Sequence, residues 1–161
     1  IYMGTFSKSL GSIGGFISSK KNIAEYIRHK ASAFIFTAAL PPASVAGVIE
    51  GLNIIIDESK RRKRLRENTA FIKRSLFEMG IQVNNNQVPI VPIQIGDEAV
   101  TLYMNRLLFD DGLFAGVAVS PVVPPLKAMI RTSYTCGHTK DDLKSIATSF
   151  NKNLKKMGVL S

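Results

Sequence analysis

A single lysine lies among hydroxyl-bearing residues and glycines near the start of the chain. Residues 4–11 read GTFSKSLG, and SIGGFI follows directly. A free lysine has a pKa of about 10.4 and is protonated at neutral pH, but a Schiff base with an aldehyde makes its nitrogen exchangeable with a substrate amine. The hydroxyls of Thr5, Ser7 and Ser9 could hold a phosphate. The spacing around Lys8 leaves two interpretations open, a phosphorylated aldehyde cofactor or a plain surface loop.

A second residue with possible chemistry is Arg131, inside an apolar stretch that predicts a strand at residues 128–134. A guanidinium can donate two parallel hydrogen bonds to a carboxylate and so orient an amino acid substrate. A salt bridge at a strand edge is the alternative that the residue alone leaves open. We predict a structural or supporting role for His138 and a packing role for Cys136, because no base is evidently paired with that thiol.

The composition is that of a globular protein. The chain has 161 residues, of which 45% are hydrophobic and 20% charged, enough for one domain or a small domain plus part of another. The sequence shows neither an apolar stretch approaching a membrane span nor a signal peptide. One cysteine excludes an intrachain disulfide and a multi-cysteine metal site, and it favours a cytoplasmic protein. Because the chain opens on Ile1 within an apolar run, we expect it to be a fragment.

The net charge of +9 raises the question of an anionic partner. Six of the seven residues 60–66 are basic. They fall within a helical pattern, so their side chains wrap around the helix, and no aromatic residues interleave with them for base stacking. We predict a solvated helix surface and no nucleic-acid partner, and keep a non-catalytic basic binding module as an alternative.

The pattern of apolar residues predicts two parts that differ in their helices and strands. The first has a short buried strand at residues 16–17, a helix at 21–30, an extended run at 33–37, and a long helix from Pro42 to Gly80 with a break near 57–62. The second has alternating runs at 81–83 and 90–95, a helix at 98–110, strands at 113–119 and 128–134, and a last helix. Thr139 and Asp142 form a capping box that opens this helix.

These elements predict an α/β fold. Residues 1–60 are expected to be the end of a larger domain. Residues 61–161 are expected to be a compact small domain with a mainly antiparallel sheet covered by helices.

Three segments in order resemble one enzyme family. They are GTFSKSLGSIGGFI at residues 4–17, FIFTAALPPA at 34–43, and VPP at 123–125 followed by IRTSYTCGHT at 130–139. Together they are similar to the cofactor-lysine segment, the segment before the long helix and the C-terminal arginine motif of the α-oxoamine synthases. These are fold-type I pyridoxal-phosphate enzymes, and the resemblance covers essentially the whole chain.

The resemblance implies roles for individual residues. Lys8 matches the lysine that forms the Schiff base with pyridoxal 5'-phosphate and later moves the substrate's α-proton. Thr5 matches a phosphate contact, and Thr37 matches a hydroxyl that reaches the phosphate from the other subunit of a homodimer. Ala38 departs from members that carry a second hydroxyl there. Arg131 matches the arginine that binds the substrate carboxylate.

The resemblance also implies a function for the whole protein. The family condenses an amino acid with an acyl-CoA, and residues 1–60 would be the end of its large, cofactor-binding domain. The family's aspartate at the pyridine nitrogen and its ring-stacking histidine lie upstream of the lysine, so this chain alone is expected to be inactive. An aminotransferase of the same fold type, which also uses a lysine and a carboxylate-binding arginine, is the close alternative.

Overall fold

The computed structural model describes residues 1–158, and residues 159–161 at the end of the predicted small domain lie outside that range. The chain divides into two compact units, Ile1–Ser59 and a second unit from Lys60 onward.

The first unit consists of a two-stranded antiparallel ribbon followed by three helices. Its elements are β1 (Tyr2–Thr5), β2 (Gly15–Ser18), α1 (Lys21–Lys30), α2 (Ser32–Ile35) and α3 (Pro42–Asp57). In the ribbon, Thr5 pairs with Gly15, so the loop that carries Lys8 connects the two strands. Helix α3 starts with a proline in its first turn, where the missing N–H costs no helical hydrogen bond.

Two predictions for this unit are wrong. The run predicted as extended at residues 33–37 is largely the one-turn helix α2, because a short apolar run does not distinguish a strand from a helix. The strand at residues 16–17 exists, but Phe16 and Ile17 are each 50% exposed rather than buried. With only two strands in the ribbon, the described part of this unit supplies no layer to cover them.

The predicted break in the long helical pattern is confirmed. Helix α3 ends at Asp57, the Glu58 N–H donates to Ile54 O, and a new helix, α4, spans Ser59–Glu78. Gly80 has a φ of 85° and follows the last turn of α4. A glycine suits this position because a left-handed conformation costs a residue without Cβ little.

The second unit contains the predicted antiparallel sheet. Three strands lie in the order β3 (Ile90–Gly96), β5 (Ala128–Ser133) and β4 (Gly116–Ala118), with β5 in the centre. Helices α5 (Glu98–Asp110) and α6 (Lys140–Lys156) agree with the predicted helices. The alternating run at residues 81–83 forms no strand, and the strand predicted at 113–119 is reduced to three residues.

The core of this unit lies on one face of the sheet. Alternate residues of β5 point to opposite faces, so Ile130 and Thr132 are buried whereas Arg131 is exposed. The fully buried side chains of the core cluster come from α4, β3, α5, β5 and α6, and include Ile72, Leu76, Val91, Ile93, Met104, Leu108, Ile130, Phe150 and Leu154. Each contributes about 1.5–3 kcal/mol on burial. The opposite face therefore remains open around Arg131.

Candidate active site

The loop that carries Lys8 is closed by its own backbone. Phe6 N donates to Gly14 O at 2.9 Å, and Ser12 N donates to Phe6 O at 2.9 Å. Gly11 N donates to Lys8 O at 3.1 Å. These bonds fold residues 6–14 into a compact hairpin loop in which Lys8 is exposed.

Two hydroxyls lie together beside this lysine. Thr5 Oγ1 and Ser7 Oγ are 2.8 Å apart, and Ser7 N donates to Thr5 Oγ1 at 3.3 Å. Both side chains are exposed, and no carboxylate occurs between residues 4 and 15. Adjacent hydroxyls and an amine without a competing anion are a donor set that suits a phosphate ester bearing an aldehyde.

Thr37 lies elsewhere in the first unit, just after α2. Its hydroxyl donates to the carbonyl of Ala33, one turn earlier, and the residue is exposed. The Thr37 hydroxyl is therefore held by the α2 segment and not by the loop of Lys8. This arrangement leaves the hydroxyl oxygen at the surface of the unit.

Arg131 is located at the centre of the open face of the second unit's sheet. Its Cα partners are Pro92 on β3 and Gly116 on β4, and neither offers a charge. No ion pair of Arg131 occurs among residues 1–158. The described residues therefore do not favour the alternative of a salt bridge at a strand edge, because the strand is central in the sheet and the guanidinium has no acidic partner among residues 1–158.

Gly116 leaves space for the arginine side chain. A Cβ placed on Gly116 would lie 3.8 Å from Arg131 Nε and 4.0 Å from Arg131 Cβ. The side chain of Arg131 thus runs alongside β4, over a position that has no side chain of its own. A larger residue at this position would compete with the guanidinium for space.

The turn after β5 is fixed by helix α4. The side-chain amide of Asn68 donates to the carbonyls of Thr135 and His138 at 3.0 and 3.1 Å, and Arg64 Nη2 donates to His138 O at 3.2 Å. His138 Nδ1 accepts from Thr135 N at 3.1 Å. These contacts agree with a structural role for His138. Sequence reasoning missed Asn68, and its only signal is a polar residue on the apolar side of a helix.

Two further polar residues of this unit, Tyr134 and Asp111 just after α5, have strongly shifted pKa values. Burial raises the pKa of Tyr134 to about 12, so its hydroxyl stays neutral at physiological pH. Asp111 accepts from Ser149 Oγ, Lys152 Nζ and Asn153 Nδ2 at 2.6–2.8 Å, and these bonds lower its pKa to about 2. Among residues 1–158, no group of three His, Cys, Asp or Glu side chains is placed to hold a metal ion.

The structure brings together some of the predicted residues. Thr5 ends β1 and Lys8 lies in the loop that follows it, Thr37 is in the same unit but on another segment, and Arg131 is in the second unit. Within residues 1–158, no helix combines the length and the apolar character that crossing a bilayer would require.

Lys8 thus lies in a hydroxyl-lined loop of the first unit, and Arg131 lies without a described acidic partner on the sheet of the second unit. The profile of the aminotransferase class I and II family matches residues 1–150. The chain belongs to this family.

Relatives within the family define the likeness more finely. The chain is 37% identical to an 8-amino-7-oxononanoate synthase of Thermoanaerobacter pseudethanolicus, over 99% of this chain and 40% of that protein. It is 38% identical to a serine palmitoyltransferase of Sphingobacterium spiritivorum, over 89% of this chain and 36% of that protein. The chain thus spans about 40% of the length of such relatives.

Solved structures agree with the expected fold. A structure of SPT with PLP internal aldimine superposes with a TM-score of 0.92 at 29% identity, over 98% of this chain and 40% of that one. The 8-amino-7-oxononanoate synthase of Francisella tularensis superposes with a TM-score of 0.84 at 22% identity, over 97% of this chain and 46% of that one, and shows the fold alone. The predicted α/β fold of fold-type I is confirmed.

Proposed function

We propose that this chain is the C-terminal part of a pyridoxal-phosphate-dependent α-oxoamine synthase, which condenses an amino acid with an acyl-CoA. The observation that carries the proposal is Lys8, exposed in a self-closed loop beside the paired hydroxyls of Thr5 and Ser7. The identities of 37–38% to an 8-amino-7-oxononanoate synthase and a serine palmitoyltransferase support acyl transfer as the reaction.

Residues of the first unit would hold the cofactor. The Thr5 hydroxyl and the Thr37 hydroxyl of a second subunit would contact its phosphate, and Lys8 Nζ would be the amine that holds its aldehyde group. When bound, pyridoxal phosphate supplies an electron sink that makes the substrate's α-proton removable. The loop glycines Gly11 and Gly14, with φ of 57° and 88°, allow the backbone to turn tightly around this group.

Arg131 and Lys8 have different roles toward the amino acid substrate. Arg131 binds the α-carboxylate with two parallel hydrogen bonds, and this fixes the orientation of the bond that is to be broken. Lys8 would be the base that accepts the substrate's α-proton on Nζ and later returns a proton. The open sheet face is suited to this, because Arg131 has no described carboxylate competing for its guanidinium.

The proposal also covers the place of the chain in the whole protein. Residues 1–60 are the end of the cofactor-binding large domain, and residues 61–161 are the small C-terminal domain. The active protein is a cytoplasmic homodimer with its active site at the subunit interface. The division of the structure near Ser59 supports the assignment of the two domains.

An aminotransferase is the second candidate, and the match to the aminotransferase class I and II family favours it. The two reactions differ in their products. An α-oxoamine synthase releases free CoA thiol only when acyl-CoA and amino acid are both present. An aminotransferase forms a keto acid without any acyl-CoA.

The test uses the full-length protein with pyridoxal phosphate. We expect acyl-CoA-dependent thiol release in the wild type, and loss of both this activity and the visible absorption of lysine-bound cofactor in Lys8→Ala. Lys30→Ala, at an exposed lysine of α1, is the matched control and should keep both signals. Activity and absorption that survive Lys8→Ala would refute the proposal, and keto-acid formation without thiol release would favour the aminotransferase.

A further inference from the structure

The part of the loop that follows Lys8 packs against other residues of the first unit, whereas the part around Lys8 itself is exposed. Leu10 and Ser12 are half-buried, but Ser7, Lys8 and Ser9 are exposed. The lysine therefore projects from a loop whose position is set by its downstream residues.

Three contacts join this downstream half to the segment of residues 40–51. A Cβ on Gly14 would lie 2.5 Å from Leu40 Cδ2, so these two residues are in close contact. Ser12 Oγ donates to Ser44 O at 3.2 Å. A Cβ on Gly51 would lie 3.0 Å from Leu10 Cδ2. Alternate residues of the loop thus contact Leu40, which precedes α3, and Ser44 and Gly51 within α3.

Helix periodicity explains why one face of α3 can receive the loop. Ser44 and Gly51 are seven residues apart, about two turns, so both lie on the same side of the helix. Glycine is a poor helix former, and α3 contains two, Gly47 and Gly51. At position 51 the contact with Leu10 is a packing reason for glycine, because a Cβ there would lie 3.0 Å from Leu10 Cδ2 and the Leu10 side chain would have to shift.

We propose that Gly51 is a positioning residue for Lys8, acting through Leu10. The route is short, because the Gly11 N–H that follows Leu10 donates to Lys8 O and so ties the lysine backbone to the anchored half of the loop. Displacing Leu10 shifts that bond and moves Lys8 Nζ away from the aldehyde it must reach. The inference rests on the proposed function, since it presumes that Lys8 bonds to pyridoxal phosphate.

The chain contains a matched control for this position. Gly47 lies one turn earlier in the same helix, and a Cβ there would meet nothing within 4 Å. A valine at position 47 or at position 51 changes the helix propensity equally. Only at position 51 does the new side chain meet the loop of Lys8.

The experiment compares Gly51→Val with Gly47→Val in the full-length protein. Titration with pyridoxal phosphate is followed by the absorption of lysine-bound cofactor, and borohydride trapping with peptide mapping measures the fraction attached to Lys8. We expect Gly51→Val to bind roughly tenfold more weakly, as overpacking of a tight contact predicts, and Gly47→Val to bind like the wild type. Adding Leu10→Ala to Gly51→Val should restore most of the loss, because it removes the competing methyl groups.

Other results would overturn the inference. Equal binding by both valine variants, an equal loss in both, or no rescue by Leu10→Ala would each show that the Leu10 contact does not position Lys8. Should Gly51→Val fail to fold by circular dichroism, Gly51→Ala and Ser12→Ala take its place. Wild-type affinity in both would then contradict the inference. Trapping in the wild type separates the two proposals, because cofactor attached only to a lysine other than Lys8 would refute the function itself.

Discussion

Arg131 lies on the open face of a sheet between a proline and a glycine, so its positive charge has no acidic cross-strand neighbour and is accessible to an anion. Arg131 alternates with buried Ile130 and Thr132, and this alternation could be predicted from the sequence. The sequence did not predict that its cross-strand neighbours are Pro92 and Gly116, neither of which is acidic. Strand order and register are long-range properties that local patterns do not determine. The sequence therefore predicted an arginine on the exposed side of a strand, but not what surrounds it.

Replacing Arg131 by lysine should weaken binding of the amino acid selectively. Lysine keeps the charge but loses the planar pair of donors, so we expect KM for the amino acid to rise about tenfold or more. KM for acyl-CoA should change little. Steady-state kinetics with each substrate varied in turn measures both values, and a purely structural arginine would instead disturb the two equally.

The neighbouring glycine gives a second prediction about the same side chain. Gly116→Val should raise KM for the amino acid roughly five- to tenfold, since branched methyl groups displace the guanidinium of Arg131 from β4. Gly116→Ala is the control, because its Cβ would lie at an ordinary contact distance of 3.8 Å from Nε. Identical kinetics for the valine variant and the wild type would contradict the described packing.

Asp111 links stability to pH. Its pKa falls from 3.8 to about 2 because it accepts hydrogen bonds from Lys152, Ser149 and Asn153. A lowered pKa in the folded state adds stability that is fully present above pH 4 and is lost as the pH falls towards 2. Asp111→Asn should therefore lower the urea midpoint at pH 7, and this difference should shrink between pH 4 and pH 2.

The adjacent Asp110 provides the control for this measurement. It pairs with Arg106 Nε at 3.0 Å on the exposed surface of α5, where an ion pair contributes little. Asp110→Asn should leave the midpoint nearly unchanged at every pH. Equal effects of the two substitutions would show that the Asp111 cluster does not stabilise the fold.

At the scale of elements, the sequence predicted correctly those helix boundaries that depend on residues close together in the chain. The capping box of Thr139 and Asp142, the break before Ser59 and the stop at Gly80 are all present. Where packing against another layer determines the structure, the secondary-structure and burial predictions were wrong. The apolar run that forms α2 carries no periodicity of its own, and the apolar residues of β2 remain exposed in a two-stranded ribbon.

Removing the capping threonine should destabilise the last helix. Thr139 Oγ1 accepts from Asp142 N at 3.1 Å, and Asp142 Oδ2 accepts from Thr139 N at 2.7 Å. Thr139→Ala should lower the free energy of unfolding by about 1 kcal/mol, whereas Thr139→Ser keeps the cap. Urea unfolding measures the difference, and equal stability of the two variants would contradict the described cap.

At the scale of the whole molecule, charge and exposure fit the proposed place within a larger enzyme. The basic run of α4 is partly engaged internally, since Arg64 donates to His138 O and Lys63 pairs with Glu67. Phe36 and Phe114 are 87% and 92% exposed. Such exposed side chains are compatible with the proposed homodimer, but only a contiguous apolar patch would mark a contact surface.

The central claim is that the amine of Lys8 carries the cofactor. The direct measurement is borohydride reduction of the full-length protein with pyridoxal phosphate, followed by proteolysis and mass spectrometry of the peptides. We predict one pyridoxylated peptide, modified at Lys8. A modification found only at another lysine, or no modified peptide at all, would contradict the account.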